Sequence, residues 1–208
     1  MSDRYYLTDP GHVLISGATG AGDRYGGKSS TAHWWISSLI DNGWIDIAVV
    51  IDPGSGPYSF KTYKTLRGMA QAYQSGVRRF SWQSESAVSD VVRFVDELPG
   101  SACVVFDEAW MYADDSGMLD VVRNLGNQDD PIRAIVVSQR AWDLPDSIRN
   151  SIPLKVWCGP ITSEGEQYFK SSGMGHIPES VDLDPYHWLV SDGGELVETN
   201  PPVPEGFA

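Results

Sequence analysis

Residues 17–30 combine the residue types that can bind a phosphate group. They read GATGAGDRYGGKSS and follow the apolar run at 13–15. Within them, residues 22–29 fit the pattern G-x-x-x-x-G-K-[ST]. Glycines let backbone N–H groups turn towards a phosphate without a clash from Cβ, and a helix starting at about Ser29 would add its positive end. The spacing therefore predicts a nucleotide-binding loop that closes on Lys28 and Ser29.

Each polar side chain of this loop has an expected role in holding a nucleoside triphosphate. Lys28 would reach the β- and γ-phosphates of ATP, and the Ser29 hydroxyl would hold Mg²⁺. The predicted cofactors are therefore ATP and Mg²⁺. The predicted nucleotide-binding residues are Gly22, Gly26, Gly27, Lys28, Ser29 and Ser30.

The loop departs from the usual arrangement in its length. Such loops usually begin where the strand ends, so residues 17–22 would form the first half of the loop and the lysine should follow at once. Instead, residues 23–27 lie between that half and Lys28. Either residues 22–29 form the cradle after a lengthened approach, or the loop carries an insertion. We favour the first arrangement because it keeps the spacing from glycine to lysine, and we expect Asp23 to point away from the phosphate.

Two adjacent acids, Asp107 and Glu108, follow the apolar run at 103–106. In an open α/β sheet, ligands lie beyond the carboxyl ends of the strands, so these acids should lie beside the lysine-bearing loop. We expect Asp107 to hold Mg²⁺ through water and Glu108 to polarise the water that attacks the γ-phosphate. Two acids after a strand can also form a plain turn.

Gln139 ends the following predicted strand and joins Lys28, Glu108 and Arg149 in the predicted catalytic set. An amide at that position can contact the γ-phosphate or the attacking water, or it can simply cap the strand. An arginine or lysine could also reach the phosphate of a neighbouring subunit, and Arg149 enters the catalytic set in that role. The candidates for it are Arg123, Arg133, Arg140, Arg149 and Lys155.

Composition limits the classes of protein that the chain can belong to. At 41% hydrophobic residues, the 208-residue chain is too apolar to be disordered, and its longest apolar runs are too short to span a bilayer. The first residues contain no signal-peptide pattern, so we expect a cytoplasmic protein. Cys103 and Cys158 lack ligand-like neighbours and are expected to be buried and reduced.

The formal net charge of -13 and the pI near 4.5 are strongly acidic. Lysine is scarce and Asp outnumbers Glu, a bias that resembles proteins of extreme halophiles; an ordinary acidic soluble protein is the alternative. An acidic chain ordinarily repels nucleic acid. At ~1 M salt, however, the screening length is only about 3 Å, so distant carboxylates would hardly repel a phosphate backbone.

Residues 53–84 contain no Asp or Glu, although the chain is acidic overall. Lysines and arginines alternate there with Tyr58, Phe60, Tyr63 and Tyr73. The window could touch a polyanion, with cations neutralising phosphates and rings packing on bases or sugars, or it could contact an acidic neighbouring subunit. The predicted DNA contacts are Lys61, Lys64, Arg67, Arg78 and Arg79.

Apolar runs alternate with amphipathic stretches along the chain, which predicts an α/β fold with a mostly parallel central sheet flanked by helices. We expect one domain over residues 1–208, with a core at about 12–160 and a small C-terminal hairpin and tail in 161–208. Strands are predicted at 13–16, 45–51, 79–82, 102–106, 132–137 and 154–158, helices at 29–41, 86–98 and 119–125, and a hairpin from 186–190 to 195–198.

Together, these residues resemble the FtsK/HerA superfamily of DNA-translocating ATPases, which includes the genome-packaging ATPases of membrane-containing viruses. The resemblance covers residues 13–158. It is carried by the loop at 22–29 (Walker A), the strand ending at Asp52, VVFDEAW at 104–110 (Walker B) and VVSQRAWDLPDSIRNSIP at 136–153. It implies a RecA-like (ASCE) P-loop NTPase fold and a hexameric ring that threads double-stranded DNA through its pore.

The resemblance implies a viral genome-packaging motor that hydrolyses ATP to translocate DNA. The halophilic composition would then suggest a haloarchaeal virus. A packaging motor would act in the host cytoplasm or with the virion, with capsid-vertex or inner-membrane proteins as possible partners. Two other functions stay open. One is a P-loop kinase of a small molecule, for which an arginine-rich lid is missing; the other is a nucleotide-dependent assembly or regulatory protein.

Overall fold

The computed structural model describes residues 11–17, 27–54, 56–83, 88–125, 131–161, 163, 166–167, 186–193, 195–200 and 203–204. Most of the glycine-rich loop, including Gly22, Asp23 and Gly26, lies outside the described residues. Ser84, the last residue of the stretch without Asp or Glu (residues 53–84, the acid-free window), also lies outside them, as does most of the tail within 161–208.

A nine-stranded sheet lies at the centre of the described part of the chain, in the order β3-β4-β2-β5-β6-β1-β7-β8-β9. Strands β1 to β7 pair in parallel, whereas β8 and β9 are antiparallel. The prediction of a mostly parallel sheet is therefore confirmed. The strands are Val13–Gly17 (β1), Ile47–Ile51 (β2), Lys61–Tyr63 (β3), Arg79–Trp82 (β4), Ala102–Phe106 (β5), Ile132–Val137 (β6), Leu154–Cys158 (β7), Trp188–Asp192 (β8) and Glu195–Asn200 (β9).

Helices cover both faces of the sheet, which explains why its central strands are apolar on both sides. On one face, Val91 and Val121 pack from two helices against the strands. On the other face, Trp35 and Leu39 of the helix that follows β1 fill the core. The helices are Lys28–Asp41 (α1), Leu66–Gln74 (α2), Val88–Asp96 (α3), Ser116–Arg123 (α4) and Asp146–Arg149 (α5), with 3₁₀ turns at Ala109–Tyr112 and Ala141–Asp143.

Side-chain caps move some element ends away from the predicted positions. Helix α4 begins three residues before the predicted 119, because the side chain of Asp115 accepts a 2.8 Å hydrogen bond from the backbone N–H of Gly117. Strand β2 begins at Ile47 rather than at 45; just before it, Asp46 accepts the Ser101 N–H with its carboxylate and donates its own N–H to the Ser101 carbonyl.

The sequence prediction missed two elements, strand β3 and helix α2 in the acid-free window. Strand β3 has only three residues, two of them exposed, so it lacks an apolar run. Helix α2 starts at a capping residue, Thr65, whose hydroxyl accepts a 3.2 Å bond from the Gly68 N–H, and it buries only Met69.

Cys103 and Cys158 are buried free thiols, as predicted. Among the described residues, no helix is both long enough and apolar enough to cross a lipid bilayer.

Candidate nucleotide-binding site

Three neighbouring strands end at the same edge of the sheet and bring the predicted site residues together. Strands β5, β6 and β1 lie side by side, and the candidate residues follow their carboxyl ends. Backbone bonds extend the ladder past the strand ends: Ser138 donates to the Ile15 carbonyl and Asp107 to the Ile51 carbonyl, each over 3.0 Å. The backbone that carries the acids and the amide is therefore held by the sheet.

The Ser29 hydroxyl donates to Asp107 Oδ1 over 3.2 Å, across 78 residues of sequence. The same carboxylate oxygen accepts the backbone N–H of Glu108 over 3.0 Å. Asp107 is 3% exposed, so these donors stabilise a carboxylate that has little contact with water. The structure thus pairs the two side chains that the sequence assigned to Mg²⁺.

Gly27 is the residue that precedes helix α1 as its N-cap, with φ 72° and ψ 0°. This left-handed conformation favours glycine because it places a Cβ too close to the backbone. The Gly27 carbonyl accepts the Thr31 N–H over 2.7 Å, and no side-chain hydrogen bond from the described residues caps the helix. The first turn thus presents uncapped backbone N–H groups beside Lys28, the arrangement that binds anions.

Burial alters the acid–base properties of both charged groups at the site. It lowers the pKa of Lys28, a shift that Glu108 and Asp107 oppose through their charges. Burial also raises the pKa of Asp107 to about 6, although the bonds from Ser29 and from the Glu108 N–H favour its charged form. A bound cation beside Asp107 and a phosphate beside Lys28 would each favour the charged state of its neighbour.

The loop after β2 covers Asp107 from a second side. Asp52, 4% exposed, accepts the N–H groups of Gly54 and Gly56 over 2.8 and 3.2 Å and so holds the loop. The hydroxyl of Tyr58 is buried and has no hydrogen-bond partner among the described residues. Burial and the charge of Asp107 raise the pKa of Tyr58 well above its ordinary value. The sequence pattern assigned Tyr58 to the acid-free window that could touch a polyanion, and not to the surroundings of Asp107.

An Mg²⁺ ion fits this donor set. Mg²⁺ commonly takes one or two protein oxygens and completes its shell with water and phosphate. Ser29 and Asp107 supply such oxygens, and the buried Tyr58 hydroxyl interacts with both of these side chains. No group of three or more His, Cys, Asp or Glu side chains that could hold a metal ion by itself is found anywhere in the described ranges, this site included.

Glu108 has the left-handed backbone conformation, with φ 50°, and donors reach both oxygens of its carboxylate. Gln139 Nε2 donates to Oε1 over 3.3 Å, and Trp110 Nε1 donates to Oε2 over 2.9 Å. The Gln139 amide thus contacts Glu108. Its predicted contact with the γ-phosphate or the attacking water, and the alternative of a simple strand cap, stay predictions. The contact of Trp110 with Glu108 was not predicted.

The arginines and the lysine that were predicted to reach the phosphate of a neighbouring subunit lie in different parts of the molecule. The Arg149 side chain forms an ion pair with Asp146 one turn earlier in α5, and its charge acts on Lys155 at the second position of β7. Arg133 likewise lies early in β6. Arg140 is exposed directly after Gln139, and Arg123 ends α4. The structure does not bring Arg149 to the site of its own chain.

The five cations of the acid-free window differ in their contacts. Arg78 and Arg79 lie at the amino end of β4, where Arg79 pairs with Asp41 and Arg78 stacks 4.1 Å over the Tyr73 ring. Lys61 of β3 pairs in register with Phe80, next to Arg79. The DNA contact of all five cations stays a prediction. Lys61, Lys64 and Arg67 are exposed on the edge strand β3 and the start of α2, and the last two have no ion-pair partner in the described part of the chain.

Lys28 and Ser29 start the helix that follows β1, and Asp107 and Glu108 follow β5, which lies two strands away from β1 in the parallel sheet. This arrangement is the fold of P-loop ATPases of the RecA-like type.

Comparison with solved structures identifies similar folds. The genome-packaging NTPase B204 of Sulfolobus turreted icosahedral virus 2, in complex with ATP-gammaS, has a TM-score of 0.68 and 14% identity, with 93% of this chain and 98% of that one covered. EssC (ATPases 2 and 3) of Geobacillus thermodenitrificans has a TM-score of 0.60 and 16% identity over 95% of this chain and 40% of that one.

The pCW3 conjugation coupling protein TcpA, with ATPgS, has a TM-score of 0.58 and 15% identity over 93% of this chain and 60% of that one. No family model and no curated protein matches the sequence. At these identities the likenesses establish the fold, and the function rests on the site.

Proposed function

We propose that this chain is an ATP-hydrolysing DNA translocase that works as a viral genome-packaging motor. The observation that carries the proposal is the 3.2 Å hydrogen bond from Ser29 to Asp107, with Lys28 beside it and Glu108 held by Gln139. It joins a phosphate-binding helix start to an acidic strand tip. The packaging NTPase B204 shares the fold over almost its whole length and has been solved with ATP analogues.

In the proposed reaction, Lys28 and the backbone N–H groups after Gly27 hold the β- and γ-phosphates of ATP. Ser29 and Asp107 hold Mg²⁺, which when bound neutralises charge on the phosphates. Glu108 accepts a proton from a water molecule as the water oxygen bonds to the γ-phosphorus. The bond from that phosphorus to the β,γ-bridging oxygen breaks, and ADP leaves with the electron pair.

We propose that double-stranded DNA contacts the molecule at Lys61, Lys64 and Arg67. The three side chains are exposed at one edge of the sheet and follow the Asp52 loop, which packs on Asp107. Arg78 and Arg79 are less suited to the role, because their guanidinium groups already bind within the chain.

We further propose that residues 1–208 form one ATPase domain, since the C-terminal hairpin extends the same sheet. The same proposal includes a homo-hexameric ring that acts in molar salt. It also includes association with the virion or the host cytoplasm, and partners at the capsid vertex or the inner membrane. The fold shared with a packaging NTPase and the charge of -13 support them.

The test is ATP hydrolysis by the full chain in molar KCl, with and without double-stranded DNA. We expect DNA to stimulate hydrolysis, Glu108→Gln to keep ATP binding but lose turnover, and Lys28→Ala to lose binding. Transfer of labelled phosphate to a small molecule would instead make the protein a kinase. Tight nucleotide binding without turnover or DNA affinity would make it an assembly or regulatory protein.

The DNA contact is tested separately by Arg67→Glu and a matched charge reversal, Arg93→Glu. Both arginines are exposed on helices, and Arg93 lies on α3 outside the acid-free window. Each lost phosphate contact should reduce the slope of log affinity against log salt by about 0.9. We expect that change for Arg67→Glu alone; equal effects of the two reversals would remove the proposed DNA surface.

A further inference from the structure

The carboxylate of Glu108 is held from two directions. Gln139 reaches Oε1 from the end of β6 over 3.3 Å, and Trp110 reaches Oε2 from the 3₁₀ turn after β5 over 2.9 Å. A carboxylate offers about four lone-pair positions, so two donors fix its direction and still leave acceptor positions for a water proton. A group held in this way keeps the capacity of a general base.

The backbone explains how a residue two positions later can reach back to Glu108. Glu108 has φ 50° and ψ 49°, a conformation that non-glycine residues rarely adopt. Its N–H donates to Asp107 Oδ1 over 3.0 Å, and its carbonyl accepts the Met111 N–H over 2.9 Å. These bonds hold a tight turn that brings the indole of Trp110 beside the carboxylate.

Packing does not account for a tryptophan at position 110. Its side chain is 51% exposed, whereas Trp35, Trp82 and Trp188 are almost fully buried. Trp44 has nearly the same exposure, 50%, but its indole N–H makes no hydrogen bond within the described residues; only its backbone N–H does, to the Leu39 carbonyl. The hydrogen bond to Glu108 is therefore the contact that distinguishes Trp110 from another exposed tryptophan of this chain.

We propose that Trp110 is a positioning residue that orients the Glu108 carboxylate, together with Gln139, towards the attacking water. The inference rests on the proposed function, in which Glu108 is the general base. Trp110 touches neither nucleotide nor water in this role and acts through Glu108 alone. Its effect should therefore appear in the rate of the hydrolytic step and not in nucleotide binding.

The first experiment compares Trp110→Phe with the matched control Trp44→Phe in steady-state ATP hydrolysis. Phenylalanine keeps an aromatic ring and removes the N–H donor. We expect Trp110→Phe to lower kcat about tenfold, the range for one hydrogen bond to a charged group, with KM and the melting temperature unchanged. Trp110→His, which keeps a ring N–H, should recover part of the rate, and Trp44→Phe should match the wild type.

The second experiment is a double-mutant cycle in single-turnover hydrolysis. If Trp110 acts through Glu108, Trp110→Phe should have no further effect in the Glu108→Gln background. An undiminished tenfold loss in that background, a change in KM alone, or a wild-type rate for Trp110→Phe would each overturn the inference.

The two proposals fail in different ways. A wild-type protein that hydrolyses ATP, loses that activity in Glu108→Gln and keeps it in Trp110→Phe would refute the role of Trp110 and leave the proposed function standing. Full hydrolysis in Glu108→Gln would refute the general base itself, and the role of Trp110 with it.

Discussion

Ser29 Oγ and Asp107 Oδ1 are joined by a 3.2 Å hydrogen bond between the start of α1 and the end of β5. The strands that precede these residues, β1 and β5, are separated by β6 in the sheet. The two oxygen atoms nevertheless have a spacing that suits two ligands of one small cation. The bond also means that the hydroxyl and the carboxylate lie together before any cation enters.

Replacing Ser29 by alanine should raise the Mg²⁺ concentration needed for half-maximal ATP binding about tenfold, because one oxygen ligand is lost. Titration of Mg²⁺ against a fluorescent ATP analogue measures the change. Ser38→Ala, on the same helix and away from Asp107, is the control and should behave as the wild type. An unchanged Mg²⁺ requirement in Ser29→Ala would exclude the hydroxyl as a ligand.

Replacing Gly27 by alanine should weaken nucleotide binding as well as stability. Gly27 and Gly43 have nearly the same positive φ, 72° and 73°, so alanine should destabilise the fold by about 1 kcal/mol at either position. At Gly27 the new Cβ would make an ordinary van der Waals contact with the Tyr186 ring at 3.6 Å, and at Gly43 it would meet open space. Of these two glycines, only Gly27 precedes the backbone N–H groups that would hold the phosphates, so a change in its conformation should also lower nucleotide affinity.

Denaturant unfolding and ATP-analogue titration of both glycine variants separate the two effects. We expect similar losses of unfolding free energy and a loss of affinity in Gly27→Ala alone. Equal affinities in Gly27→Ala and Gly43→Ala would show that the conformation of Gly27 serves only the helix start.

Replacing Gly56 by alanine should disturb the metal site from the loop side. An added Cβ would lie 2.4 Å from the Tyr58 ring and 2.9 Å from Asp107 Oδ2, so the loop or the carboxylate must move. We expect weaker Mg²⁺-dependent ATP binding, measured by calorimetry with and without Mg²⁺. Gly76→Ala is the control for lost stability alone, because it strains a positive φ of 91° while its Cβ meets open space. Binding that falls equally without Mg²⁺ would contradict the assignment of Asp107 to the metal.

Stability should depend on pH through His12. Burial, with a smaller effect of Arg133, lowers the pKa of His12 to about 4, and its Nδ1 accepts the Ala134 N–H over 3.0 Å. The unfolded chain, with a pKa of 6.5, binds more protons between these values, so the contribution of His12 to stability is lost as the pH falls from 6.5 to 4. Its size is about 1 to 3 kcal/mol.

Asp107 acts in the opposite direction over part of the same range, because its pKa rises to about 6 in the folded chain. The contribution of His12 is therefore read from the difference between the wild type and His12→Asn, whose amide oxygen can accept the same N–H. Urea unfolding from pH 4 to 7.5 should show the smaller acid sensitivity in the variant. Parallel profiles would mean that His12 does not titrate as expected.

The sequence was sufficient to predict the strands and site residues that depend on local pattern. Strands β1, β5 and β6 are short apolar runs ending in polar residues, and a parallel sheet with right-handed crossovers brings such ends together. The meeting of Lys28, Ser29 and Asp107 at one edge follows from that rule and from the lysine-bearing loop.

Other features depend on backbone states and distant pairs that no local pattern encodes. The bond from Trp110 to Glu108 requires a left-handed glutamate, and nothing in DEAW signals that conformation. The ion pair between Arg79 and Asp41 joins residues that become neighbours only once β4 lies beside β2. Sequence reasoning therefore named Arg79 as a DNA-contact candidate without its ion pair to Asp41.

The stacking of Trp188 on helix α1 makes the C-terminal hairpin part of the support of the phosphate-binding helix. The ring centroid of Trp188 lies 5.8 Å from that of Trp34 and 5.9 Å from that of Trp35. A fragment that ends at residue 160 would lack this contact and expose an apolar surface on the helix that carries Lys28. We expect such a fragment to aggregate, so a shortened chain that still folds must retain the last two strands.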